Sequence, residues 1–174
     1  MRTLHFLDFK LIDNYTDVMR YCRQEGIRYM VYYIFWKGYL LKVGIQHKQG
    51  NGTDFGERAY TQAGWMPGWS KPCLMRGKKT GEATQKMIAL AEAKYGGTFH
   101  KDDVVVILED WTHYPFLAGL DDDANRYPEM QNAEEYAKAD FHNKFGYYPV
   151  GNPKQEPIRT LVPKKTFDFW FGND

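Results

Sequence analysis

RYMVYYIFWKGYLLKVGIQ, residues 28–46, holds six aromatic side chains among nineteen residues, interrupted by Lys37, Gly38 and Lys42. MVYYIFW (30–36) is a run of branched and aromatic residues that suits a strand. Lys37-Gly38 is a tight-turn signal, and YLLKVGI (39–45) returns as the partner strand. A pair buried in a core would be more aliphatic and would not carry a lysine at position 42. Residues two apart in a strand share a face, so Tyr32 goes with Ile34, Tyr33 points the other way, and Lys42 goes with Gly44. A two-residue turn at Lys37-Gly38 sets Tyr33 opposite Lys42. A three-residue loop over 36–38 sets Tyr32 there instead. Both registers are open at this level. A cation beside a tyrosine favours the phenolate, which can take a proton from water. Gly44 lets another backbone or a phosphate come close.

Working outward, residues 1–27 read as an N-terminal extension with a helix over 15–24, capped by Asp13-Asn14 and ended at Gly26. After the hairpin comes a glycine-rich loop over 46–56, then a short helix through Glu57, Arg58, Tyr60 and Gln62, then a Trp/Pro loop. A helix over 80–95 has Thr80 as its N-cap and stops at Gly96-Gly97. DVVVILEDW (103–111) reads as a buried strand, 112–130 as irregular, and 132–145 as a third core helix with Asn132 as cap and Gly146 as its end. The expected fold is α+β: a small, mainly antiparallel three-stranded sheet flanked by helices. Its core order is β-β-α-α-β-α, with an N-terminal helical extension. The chain, 1–174, reads as one domain: extension 1–27, core 28–152 and C-terminal tail 153–174.

Composition bounds the function. At 174 residues with 43% hydrophobic content, the chain can bury a core and is not of the disordered class. No run of about 18 apolar residues is present, so no membrane partner is expected. The start lacks a signal-peptide pattern, and two lone cysteines, Cys22 and Cys73, read as reduced thiols. Together they imply a cytoplasmic protein. The net charge of +1 hides a segregation. Residues 37–79 hold eight basic side chains against two acidic, a net of +6; residues 100–140 hold three against eleven, a net of −8. Residues 154–165 return to +3. A basic zone beside an acidic one suits a polyanion-binding surface next to a metal-holding one, but from charge alone solvated faces that neutralise each other are the better reading. Gly77-Lys78-Lys79-Thr80 lacks the spacing of a phosphate loop, and Asp121, Asp123 and Asn125 lack the glycine and glutamate of a calcium loop. The five histidines show no paired metal spacing.

Met30-Val31-Tyr32-Tyr33-Ile34 and Lys42-Val43-Gly44 together resemble the two halves of the GIY-YIG nuclease motif, with Met30 in place of the first glycine and Lys42 in place of the second tyrosine. The resemblance covers roughly residues 29–152, with Tyr32 and Lys42 ten residues apart, and it favours the register that pairs those two. It implies a phage- or restriction-type endonuclease that hydrolyses DNA phosphodiester bonds with one divalent metal, Mg²⁺ or Mn²⁺. Tyr32 would be the general base, Lys42 its neighbouring cation, and Tyr33 would help place water or phosphate. Arg58 would hold the scissile phosphate. The metal would sit on Glu134 or Glu135, Glu134 being favoured narrowly, with Asp140 at the more usual distance from the end of the motif set. Pro149-Val150-Gly151-Asn152 matches the family's closing Pro-x-x-Asn, so Asn152, with Gly44, would support the active site. Double-stranded DNA is the implied partner, tracked by Lys48, Lys71, Arg76, Lys78, Lys79, Lys154, Lys164 and Lys165. A homodimer is one way to cut both strands. The other reading is a catalytically inactive nucleic-acid-binding or regulatory module on the same fold.

Overall fold

The computed structural model describes residues 3–12, 16–27, 29–46, 78–113 and 123–152. The β-rich run forms a strand over its full length, β2 (Met30–Trp36), and the chain returns as β3 (Tyr39–Gln46). Lys37 and Gly38 turn the chain with both φ angles positive, 50° and 80°. That is the backbone of the two-residue hairpin turn whose twist matches the strands it joins.

Around this hairpin lie β1 (Leu4–Asp8), α1 (Thr16–Glu25), α2 (Lys78–Tyr95), β4 (Val104–Asp110) and α3 (Asp123–Phe145). All strand pairs are antiparallel, in the order β1-β4-β2-β3. The α+β class and the antiparallel sheet agree with the expectation, but among the described residues the sheet has four strands, not three. The added strand, β1, lies in what reads as a helical extension. It forms because Leu4–Asp8 finds the open edge of β4, with His5 opposite Leu108 and Leu7 opposite Val106. The helix expected at Arg58 lies outside the described residues, so the order seen is β-α-β-β-α-β-α.

The helices match their sequence signals at their C-terminal ends. α1 closes with the Ile27 amide donating back to the Cys22 carbonyl and Gly26 in the left-handed region. Two N-terminal ends differ. α2 begins at Lys78, so Thr80 lies inside the first turn rather than capping it. α3 begins at Asp123, nine residues before Asn132, which is buried within the helix instead of capping it. Pro128 reads as a breaker, yet the backbone is helical on both sides of it.

The sheet separates two apolar clusters. On one face Met30, Tyr32, Ile34 and Trp36 of β2 and Leu41 of β3 pack with Val18 and Cys22 of α1 and Met87, Ile88 and Ala91 of α2. On the other, Val31, Val43, Ile45 and Trp111 pack against Ala133 and Tyr136 of α3. Strand alternation assigns each side chain to its cluster, and each fully buried large apolar side chain contributes about 1.5–3 kcal/mol. None of the described helices is long and apolar enough to cross a membrane.

Candidate functional site

The hairpin register is neither of the two the turn allows on paper. Trp36 pairs with Tyr39 and Phe35 with Leu40, then the register shifts, and Ile34 faces Lys42, Tyr33 faces Val43 and Tyr32 faces Gly44. Leu41 is the extra residue of a β-bulge, and its side chain enters the α1/α2-side cluster. Lys42 is therefore a diagonal neighbour of Tyr32 on the same face, not its direct partner. The residue facing Tyr32 is Gly44, and the tyrosine ring lies across it. A Cβ at Gly44 would overlap the Cζ and hydroxyl of Tyr32, so glycine is needed at this position. Tyr32 is 2% exposed.

Asn152 is joined to the same strand from outside. The PVGN turn closes with the Asn152 amide donating to the Pro149 carbonyl at 2.9 Å. Gly151 donates its amide to the Leu41 carbonyl at 2.7 Å, and a Cβ there would come 2.8 Å from that oxygen. The Asn152 side chain then pairs with Val43 in both directions. Its Oδ1 accepts from the Val43 amide at 2.7 Å and its Nδ2 donates to the Val43 carbonyl at 2.9 Å. Among the described strands β3 lies at the edge of the sheet, and this carboxamide pairs with backbone groups on its outer side.

The α3 side of the sheet carries a different polar set. Tyr33 donates its hydroxyl to Glu109 Oε2 at 2.9 Å, and Trp111 donates its indole N–H to Glu109 Oε1 at 3.1 Å. Glu109 is 1% exposed, so these donors reach a carboxylate removed from water, where charge-assisted bonds are strong. On α3, Lys138 Nζ lies 2.6 Å from Glu135, both buried, and 3.9 Å from Glu134, whose side chain is 20% exposed. Tyr33 and Asp140 both line a groove of about 750 Å³ between the sheet and the C-terminal half of α3. Aromatic rings supply much of its wall, and Tyr95 hydrogen-bonds Tyr147 there, hydroxyl to hydroxyl at 3.1 Å. Burial first, and that bond second, hold the Tyr95 phenol well above its ordinary range.

The sequence candidates thus divide between two faces. Tyr32, Lys42 and Gly44 share the α1/α2 side, with the sheet between them and α3. Tyr33 shares the α3 side with the helix that carries Glu134, Glu135 and Asp140. Among the described residues no group of three or more His, Cys, Asp or Glu side chains is arranged to hold a metal. Lys78 and Lys79 open α2, but their side chains lie outside the described set. So do Arg58, Lys48, Lys71, Arg76, Lys154, Lys164 and Lys165. Glu109 was not among the candidates. Its signal was an acid inside an otherwise aliphatic strand, on the same strand face as Trp111. Comparison with family models, characterised protein sequences and solved structures finds no match.

Proposed function

We propose that the chain is a metal-dependent endonuclease acting on DNA phosphodiester bonds, with its reaction centre on the α3 side of the sheet. One observation carries this reading: Tyr33, its hydroxyl held by the buried Glu109 carboxylate, lines the same groove as the exposed Asp140. The motif resemblance supplies the reaction class, while of its tyrosines Tyr33 lies on this side of the sheet and Tyr32 on the other. A general base must reach water, and Tyr33 in a groove meets that need better than Tyr32 at 2% exposure.

The residues fit one hard divalent ion of the kind that keeps several waters and takes few carboxylates. Asp140, exposed and lining the groove, would hold it, whereas Glu135 is paired with Lys138 and Glu134, 3.9 Å from the same ammonium, is not part of the groove wall. Bound there, Mg²⁺ or Mn²⁺ would polarise the phosphate and neutralise charge on the leaving oxygen. Tyr33 takes the proton of the attacking water as its own proton passes to Glu109, so the carboxylate is the final acceptor. Trp111 keeps the other carboxylate oxygen fixed while this happens. Arg58 would stabilise the pentacovalent phosphate, and double-stranded DNA would be the substrate.

Supercoiled plasmid tests the reading. Wild type with Mg²⁺ or Mn²⁺ should nick it, and chelator should stop the reaction. Tyr33→Phe and Asp140→Asn should each lose about 10²-fold or more in rate, while Tyr32→Phe keeps most of it. The opposite ranking of the two tyrosines would overturn the base assignment. A plasmid that is bound but never cut, with either metal, would leave the binding-module reading in its place.

A further inference from the structure

The groove that holds Tyr33 has more aromatic surface than proton transfer needs. Tyr39, at the hairpin tip, and Tyr95, at the end of α2, stack with centroids 3.9 Å apart and planes 11° from parallel. Tyr39 is 44% exposed. Across the groove, in the last turns of α3, Phe141 and Phe145 lie 4.7 Å apart, and Phe145 is 49% exposed. Exposed aromatic surface of this kind gains from being covered by a planar group. The groove is also supplied with cations. Lys144, exposed, lines it, and Lys94 Nζ stands 3.1 Å from the ring centre of Tyr147, another lining residue.

We infer that this groove binds an unstacked nucleobase of a DNA strand, with Tyr39 and Phe145 as its stacking surfaces and Lys144 and Lys94 beside the flanking phosphates. The inference deepens the nuclease reading and rests on it for the identity of the polymer. Its own support is the pairing of partly exposed aromatic rings with lysines, Lys94 over Tyr147 and Lys144 over Phe145. Every base has a π-face and every flanking nucleotide a phosphate, so that combination suits single-stranded nucleic acid without demanding a sequence. The volume, about 750 Å³, falls in the range of small-ligand sites and exceeds what one side chain would fill. Lys94 over Tyr147 also fixes that ring, so the groove wall is organised before a base arrives.

The test is binding by fluorescence anisotropy, in chelator so that no strand is cut. The full-length chain is titrated with a labelled single-stranded DNA and with a strand of the same length whose central nucleotides are abasic. Wild type should favour the intact strand by about 5- to 150-fold, the range of one stacked base. Tyr39→Ala and Phe145→Ala should each bring that ratio close to one. Leu11→Ser, on an exposed leucine away from the groove, should leave it unchanged. Phe145 lies in the last turn of α3 and its replacement spares the packed face, so a folding defect in Tyr39→Ala would still leave a decisive variant. Equal affinity of wild type for the two strands, or a ratio that survives Phe145→Ala, would overturn the inference. Cleavage of plasmid without base preference sinks this inference alone. Base preference without cleavage sinks the nuclease reading alone.

Discussion

At the scale of single residues, Gly44 and Glu109 each carry a defined cost of change. A methyl group at Gly44 falls on the Tyr32 ring, and that ring is enclosed between β3 and the helices of its face, so it has little room to retreat. Gly44→Ala should destabilise the fold by about 1–3 kcal/mol, the usual cost of overpacking. The shift in urea midpoint measures it, and the cost should shrink in a Tyr32→Leu background, where the ring is gone. Equal costs in both backgrounds would mean that the close approach is not what requires glycine. Glu109 accepts from Tyr33 at one carboxylate oxygen and from Trp111 at the other. An amide cannot do so, because one of its ends is a donor. Glu109→Gln should therefore set an N–H against either Tyr33 or Trp111 and cost about 1–3 kcal/mol. Tyr33→Phe or Trp111→Phe combined with it should recover part of that loss in a double-mutant cycle.

At the scale of elements, among the described residues the outer edge of β3 is held by the Asn152 side chain beside the Gly151 amide. Asn152→Ala would leave the buried Val43 amide and carbonyl without their partners, at about 1–3 kcal/mol for each group not reached by water. Hydrogen exchange should show it locally: the Val43 amide should lose protection while the amides shared by β2 and β4 keep theirs. The same edge explains what the sequence could and could not reveal. The two hairpin strands and their turn are legible, because a β-rich run meets Lys-Gly and then a second apolar run. The register is not, because the bulge at Leu41 is set from outside, by the Gly151 amide on its carbonyl and by burial of its side chain. β1 is likewise hidden, since a five-residue run containing His5 and Asp8 is a strand only once β4 offers an edge. The start of α3 is masked by Pro128. In the site, Tyr33 and Asp140 are visible as residues, but their meeting in one groove is a product of strand alternation and helix placement. Glu109 is obscured because an acid in a strand reads as surface charge until Tyr33 and Trp111 are seen to converge on it.

At the scale of the whole molecule, the packing of the helices on the sheet sets the alkaline limit of stability. Cys22 of α1 is fully buried beneath the sheet, and that burial, with the charge of Asp110 as a second cause, pushes its thiol from 9.0 up to about 12. Tyr21 beside it is raised by burial, then by Glu25 and Cys22, and Tyr95 at the groove by burial, then by Tyr147. Each is an acid whose folded pKa lies above its unfolded one, so the folded state holds the proton more tightly. Its contribution is complete below the unfolded value and is lost as pH climbs toward the folded value. The thiol is the first to act, because its unfolded value is the lowest of the three. Between about pH 9 and 10 it is the one of the three that erodes stability, approaching about 1.4 kcal/mol per pH unit, and the phenols should steepen the fall above 10. Thermal unfolding followed from pH 7 to 11 should therefore give a plateau to about pH 9 and then a decline. Cys22→Ala lowers the plateau by removing a buried side chain, but it should also carry the plateau on to about pH 10, where the tyrosines begin. The shape separates the two effects: a Cys22→Ala curve parallel to wild type throughout would show that the buried thiol does not govern the onset, and that some other buried acid sets the alkaline limit.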